Sequence, residues 1–442
     1  MSGNEKSKKL TVAFMPYFYD LGETFPLVEI AKKYKELGGE AIFVGYGDKY
    51  KKLAEEIGYK IIEIKPKISE DISRIMREKE KEYSYKKITA EKLLFTIFDK
   101  KMEKLFIEMI EEEIKVFKNE KVGLVVTSFN TISNISARVV GIPIIFLTSG
   151  VSIPQYFESN FATFPDSYEN FFTKLVPQSI KNHITNVYIS NCKWNIKEYN
   201  KLARRYNVTK LKHFLDVFAG DYTLVADDIK LLGLKPVDGG PQENFVGPIL
   251  FDQTNTAKIE SDVESHLKRP GKSILLSLGG NLFWRKFFLD ILKILNQTQY
   301  NVVAISSVLD ENEIPKLNDN ILFKKFVPSI KKINEMVDLA ITHGGRSTVY
   351  TAAYSGKPVI GIPMMAEQQF NLDNLVKHGM AIRLSKKYFT EKKLLNAIDK
   401  IFNNYDEYLS CAQLLKNKLS KPNGAENAAK LILDIAVSDR NK

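Results

Sequence analysis

Short apolar runs along the chain are separated by stretches of helical period, and this alternation predicts βαβ units on parallel sheets. In the first half, residues 10–14, 41–45, 61–64, 122–127, 143–147 and 222–226 read as strands. Residues 26–37 carry Leu27, Ile30, Ala31, Tyr34 and Leu37 at helical spacing and stop at Gly38-Gly39. Residues 51–57 and about 90–117 read as further helices, with a Lys/Glu-rich loop and helix over 65–87. Residues 252–270 are polar without a strong apolar period, which is how an interdomain linker reads. Beyond them the pattern restarts, with strands predicted at 273–277, 302–305, 321–323, 339–341 and 359–362. The expectation is an α/β protein of two doubly wound domains, residues 1–250 and 271–442, joined by a linker over 251–270. The last helix is a candidate to pack back on the first domain. Ligands of such sheets bind beyond the carboxyl ends of the strands, so two facing domains place a site in the cleft between them.

Length alone, 442 residues, would suggest about three domains; the pattern selects two large ones. A hydrophobic content of 44% with 26% charged residues belongs to ordinary globular chains and excludes disordered or collagen-like classes. The 64 basic and 53 acidic residues leave a formal charge of +11, which favours anionic partners: nucleic acid, phospholipid surfaces or phosphorylated small molecules. No interleaved aromatic-basic motif supports nucleic acid. Cys192 and Cys411 are too far apart for a zinc-ligand spacing or a disulfide framework, so a reducing compartment is expected. The apolar segment at the N-terminus is too short for a signal-peptide core, and no run approaches a membrane span. These features predict a cytoplasmic protein that can touch a membrane without crossing it.

Two stretches depart from the plain pattern. Between residues 156 and 172, seven of 17 residues are Tyr or Phe, far above the 11% of the whole chain. Either the rings complete the domain core, or they wall an apolar substrate cleft; in the second case Tyr156, Phe157, Phe161 and Phe164 are acceptor-binding candidates. The other stretch follows the strand at 339–341 and reads Thr342-His343-Gly344-Gly345-Arg346-Ser347-Thr348. A strand ending in glycines and hydroxyl residues before a helix presents free backbone N–H groups and the positive end of a helix dipole, which suits a diphosphate. Ser347 and Thr348 can add hydroxyl donors, and His343 a ring N–H. An ordinary tight turn would look the same. Next to it on the same sheet edge, Glu367-Gln368 sets a carboxylate beside an amide, a donor and acceptor set suited to sugar hydroxyls.

From Phe326-Val327-Pro328, through His343-Gly344-Gly345-Arg346-Ser347-Thr348 and residues 356–363, to Glu367-Gln368-Gln369-Phe370-Asn371, the chain resembles the donor-binding signature of GT-B glycosyltransferases. It is most like the UDP-glycosyltransferases of antibiotic, sterol and plant type. The dense resemblance covers about 50 residues, and the two-domain layout extends it more weakly over the chain. It implies two facing Rossmann-like domains, a UDP-sugar as co-substrate without a further cofactor, and a single displacement that inverts the anomeric carbon; no metal is expected, since the sequence has no Asp-x-Asp pair of the kind metal-dependent glycosyltransferases use. By the same resemblance His343, Gly344, Gly345, Ser347 and Thr348 would grip the donor diphosphate and Glu367 and Gln368 the sugar. Phe326 and Val327 would pack near the base. Family members often carry Trp and Gln where this chain has Phe326 and Ser329. Leu278-Gly279-Gly280-Asn281 resembles the first glycine turn of the same domain, so Gly279 and Gly280 would also approach the donor.

In the first half, Gly22-Glu23-Thr24-Phe25-Pro26 stands where the family shows Gly-His or Gly-Asp before Pro, the place of the general base. Glu23 is then the candidate base, as in the acidic version of sterol and glycopeptide enzymes, with Asp20 in reserve; a carboxylate can take the proton of an attacking hydroxyl. Glu23 could instead merely favour the start of a helix near Phe25. The expected acceptor is a hydroxyl on a lipid or hydrophobic small molecule, with an anionic membrane surface as a further partner. The alternatives are a sugar-nucleotide epimerase and a catalytically inactive partner subunit of the same fold.

Overall fold

The computed structural model describes residues 10–66, 100–128, 130–193, 196–235, 243–250, 258–280 and 284–438. Seven strands form the first sheet: β1 (Thr11–Met15), β2 (Ala41–Tyr46), β3 (Lys60–Ile64), β4 (Val122–Thr127), β5 (Ile144–Thr148), β6 (Tyr222–Val225) and β7 (Glu243–Phe245), in the order β3-β2-β1-β4-β5-β6-β7. Six form the second: β8 (Ser273–Ser277), β9 (Asn301–Ile305), β10 (Ile321–Lys324), β11 (Leu339–Thr342), β12 (Val359–Gly361) and β13 (Ala381–Arg383), in the order β10-β9-β8-β11-β12-β13. Every pairing is parallel. Both sheets are doubly wound, and each reverses its strand order once, beside β1 and β4 in the first and beside β8 and β11 in the second. The predicted strands lie where their apolar runs put them. Two more, β7 and β13, are three-residue strands at or next to sheet edges, too short to show a period.

Strands buried on both faces need apolar cover on each side. On one face of the first sheet, Val12, Phe14, Leu124 and Ile145 pack with the helix Leu21–Glu36; on the other, Ala13, Val125 and Ile144 pack with the helix Lys100–Asn119. The first of these helices starts five residues before the expected position. Pro26 suggested a first helical residue, but Asp20 caps the helix instead, its Oδ1 accepting from the Gly22 N–H at 2.8 Å, and Pro26 lies in the helix interior. The helix Gly424–Ser438 also packs against Leu21–Glu36, placing Ala425, Ala428, Ala429 and Ile432 in the first sheet's core. Its start is close to the backbone: a Cβ on Gly424 would lie 2.2 Å from the Gly247 carbonyl oxygen. Part of the expected linker is helix, Ser261–Leu267, with Val263 and Leu267 buried against Leu275 and Val303 of the second sheet. Residues 251–257 and most of the Lys/Glu-rich stretch lie outside the described residues.

Candidate active site

Four turns meet where the two sheets change direction. Glu23 follows β1, Ser128 follows β4, Gly279 and Gly280 follow β8, and the His343 to Thr348 turn follows β11. Crevices at such switch points are where open α/β sheets bind ligands. The two halves face each other here: the Tyr50 hydroxyl oxygen would lie 3.6 Å from a Cβ on Gly280, and Arg346 Nη1 donates to the Thr148 carbonyl at the end of β5 at 3.1 Å.

On the second sheet, Gly345 precedes the helix Arg346–Ser355, whose N-terminus has no side-chain cap. The Thr348 hydroxyl donates to the Gly345 carbonyl at 2.7 Å, while Ser347 stays partly exposed. The His343 ring is wedged between glycine backbones: a Cβ on Gly279 would stand 2.8 Å from its Cε1, and one on Gly345 would stand 2.4 Å from its Nε2. Trp284 packs edge-on at 5.7 Å. Burial in this wedge lowers the imidazole pKa to about 4, so the ring is neutral at pH 7, with Nδ1 buried and lacking a hydrogen-bond partner. Gly344, at φ +86°, is bare on the opposite side, where a Cβ would approach the Gln368 carbonyl oxygen to 2.6 Å.

The helix Ala366–Lys377 divides its side chains between the cleft and the first domain. Glu367 accepts from Asn371 Nδ2 at 2.8 Å, and the same amide reaches the Gly344 carbonyl at 3.2 Å, so the carboxylate is held beside the glycine turn. Gln368 Oε1 accepts from the Met364 N–H at 2.9 Å and closes the helix start, which leaves its Nε2 as the group free of capping duty. Gln369 turns to the first half, accepting from the Asp166 N–H at 2.9 Å and donating to Thr163 and the Phe164 carbonyl. Arg383 joins Asp373 at 2.6 Å and Asp166 across the same seam.

That seam takes up the first rings of the aromatic segment. Tyr156 and Phe157 are buried against Phe370 with ring centroids 6.1 and 6.0 Å away, Phe161 and Phe164 stay half-buried, and Tyr168, Phe171 and Phe172 are exposed. The core reading therefore holds for the first two rings, which close the interdomain contact. Phe326 stands 59% exposed over a buried Val327, a free apolar ring at the C-terminal end of β10.

Charge in the cleft centres on one cation that sequence reasoning left without a role. Arg346 lies within electrostatic reach of Glu23, Asp227 and Glu367, and in each case its field opposes the rise in pKa that burial imposes. For Glu23 burial prevails, pushing its carboxyl to about 7, with Asp20 and Glu367 adding to the rise. Asp20 itself is exposed and serves as the helix cap. Asp227, after β6, accepts from the Gly150 N–H at 2.5 Å and the Ser149 hydroxyl at 3.2 Å. A usable sequence signal existed for Arg346: a cation on the first residue of a helix is opposed by the dipole, so nearby carboxylates are to be expected.

Residues 278–431 match the glycosyltransferase family 28 C-terminal domain. The chain aligns with the UDP-glucuronosyltransferase 2B7 of Homo sapiens at 32% identity over 179 residues, 37% of this chain and 31% of that protein. The GT-B fold extends over nearly the full length, since CalG4, the calicheamicin glycosyltransferase, superposes with a TM-score of 0.65 at 14% identity, covering 98% of this chain and 99% of its own. The second half thus carries a glycosyltransferase family 28 C-terminal domain, and the whole chain has the GT-B fold. This GT-B chain is also 26% identical over 186 residues to the NDP-glycosyltransferase YjiC of Bacillus subtilis (strain 168), 42% of its own length and 46% of the relative's. The alignments thus span less than half of these two relatives. The solved glycosyltransferase VinC, in complex with DTDP, has the same fold, at a TM-score of 0.62 and 13% identity over 97% of this chain and 100% of its own.

Proposed function

We propose that this protein is an inverting glycosyltransferase that moves a sugar from a UDP-sugar to a hydroxyl of an apolar acceptor, a lipid or hydrophobic small molecule. The observation that carries the reading is Glu23: a first-half carboxyl with pKa near 7, facing the second half's Arg346 and Glu367 across the cleft. A general base works best when its pKa lies near the operating pH. In the step envisaged, the acceptor oxygen attacks the anomeric carbon as the bond to the diphosphate oxygen breaks. Glu23 takes the hydroxyl proton, and UDP leaves with the bonding electrons. The uncapped N–H groups of the helix Arg346–Ser355, the Arg346 guanidinium and one hydrogen bond from neutral His343 receive the charge that develops on the diphosphate.

Gly279, Gly280, Gly344 and Gly345 shape this cradle, with Ser347 at its rim and Thr348 holding the turn. Glu367 and the Gln368 amide nitrogen would hold sugar hydroxyls, and Phe326 over Val327 would take the pyrimidine. Phe161 and Phe164 are the rings left to meet an acceptor, Tyr156 and Phe157 acting through the seam. Residues 1–250 would then be the acceptor domain and residues 271–442 the donor domain.

The test is to incubate purified protein with UDP-sugars and dTDP-sugars, with and without lipid and aromatic alcohols, following nucleotide release and the anomeric configuration of the product. Release that depends on an apolar acceptor, with inversion, supports the reading. A changed sugar without acceptor would point to an epimerase, and absence of turnover with intact nucleotide binding to an inactive subunit.

A further inference from the structure

The helix Gln178–Asn191 is inside out. Its buried side is polar: Lys181, Thr185 and Asn186 face the protein. Each is satisfied there. Lys181 pairs with Glu169 at 3.1 Å, the Thr185 hydroxyl donates to the Lys181 carbonyl at 2.9 Å, and Asn186 bonds both the N–H and the carbonyl of Ala162, at 3.0 and 2.7 Å. The outer side carries Ile180, Ile184 and Tyr188 at four-residue spacing, all exposed. The preceding short helix Phe171–Lys174 and the turn after it add Phe171, Phe172 and Leu175, 74%, 76% and 72% exposed. Eight of the 15 exposed large hydrophobic side chains among the described residues fall between Phe171 and Tyr188. Scattered exposed apolar residues need no explanation, but a contiguous apolar surface marks a contact.

Charge narrows the choice of partner. From residue 170 to 197 the chain has no Asp or Glu and four lysines, Lys174, Lys181, Lys193 and Lys197. Lys181 is spent on Glu169, while Lys174, Lys193 and Lys197 are exposed. A two-fold contact between identical copies sets a patch against itself, so this one would bring like charges together with no carboxylate of its own stretch to pair them. An apolar helix face flanked by lysines instead suits the boundary of a bilayer with anionic headgroups, lying in its plane. Among the described residues no helix is long and apolar enough to cross a membrane.

We infer that the surface formed by Phe171, Phe172, Leu175, Ile180, Ile184 and Tyr188 docks the protein on an anionic lipid bilayer. The surface borders the interdomain seam, since the Glu169 carbonyl accepts from the Tyr388 hydroxyl at 3.0 Å. The inference does not depend on the transfer reaction, and its readout is binding, so its failure is distinguishable from failure of the proposed activity.

The full chain is sedimented with vesicles of phosphatidylcholine alone and of phosphatidylcholine with phosphatidylglycerol, and its oligomeric state is measured in parallel by analytical ultracentrifugation. The wild type is expected to bind the anionic vesicles more strongly and to remain monomeric without them. Phe172→Asp and Ile184→Asp should each weaken vesicle binding about tenfold while leaving the circular dichroism spectrum and thermal midpoint unchanged, as substitutions of exposed side chains do. Three results would overturn the inference: no binding to either vesicle, binding that both variants retain, or a wild-type dimer that Ile184→Asp dissociates.

Discussion

A carboxyl on the third residue of a helix is ordinarily favoured in its charged form by the dipole, an effect of about 0.3–1 kcal/mol. Glu23 occupies that place and still has its pKa raised from 4.5 to about 7, a rise worth roughly 3 kcal/mol. Burial opposite the second domain outweighs both the dipole and Arg346. Because the folded pKa is above the unfolded one, the native state holds the extra proton, and this contribution to stability is lost as pH rises from 4.5 through 7. His343 runs the other way: its folded pKa near 4 is below the ordinary imidazole value of 6.5, so its contribution is lost as pH falls through that window. Glu23→Gln should therefore gain about 1–2 kcal/mol over the wild type above pH 7 in urea unfolding, and its stability should fall more steeply below pH 6.5. The same variant should lose about 10²–10⁴-fold in kcat/KM and the rise of the wild-type pH–rate profile near pH 7. Arg346→Met removes the cation that restrains three carboxyl pKa values. That rise should move to higher pH, with kcat lowered about 100-fold; an unmoved profile would show that Arg346 does not set the base.

At the scale of elements, glycines set how closely loops and helices approach. Gly279 combines φ +79° with the His343 ring where its Cβ would be, so Gly279→Ala should cost about 1–3 kcal/mol. It should also weaken nucleotide binding measured by calorimetry, because the imidazole is displaced from the cradle. Gly424→Ala tests a different joint. A methyl group there meets the Gly247 carbonyl at 2.2 Å and should loosen the last helix from the first sheet, seen as faster amide exchange in the helix Gly424–Ser438 with the second sheet unaffected.

On the scale of the whole molecule, the seam rather than either sheet aligns Glu23 with the glycine turns. Arg383 is its main charged tie, held between Asp373 and Asp166. Burial already raises the Asp166 pKa, and Arg383 works against that rise. Arg383→Ala leaves Asp166 and the buried Asp373 uncompensated, so it should destabilise by about 2–4 kcal/mol at pH 8 and by less at pH 5, where protonation of Asp166 relieves part of the cost. Equal losses at the two pH values would exclude that account.

The sequence by itself determined the two parallel sheets and the glycine turns that follow β8 and β11, because strand burial and glycine-bearing strand ends are written within a few neighbouring residues. Val122–Thr127 and Ser273–Ser277 were legible to the residue, as was the turn at His343. The tertiary structure alone decided what depends on distant partners. Tyr156 and Phe157 close a seam because Phe370, more than 200 positions away, covers them. Gln178–Asn191 presents its apolar side outward because its polar side finds partners in Ala162 and Glu169. Glu23 is poised near neutral pH because the opposite domain removes water from it while Arg346 supplies only part of the compensation. Local period records which residues can be buried, whereas desolvation and long-range charge depend on what the fold brings against them.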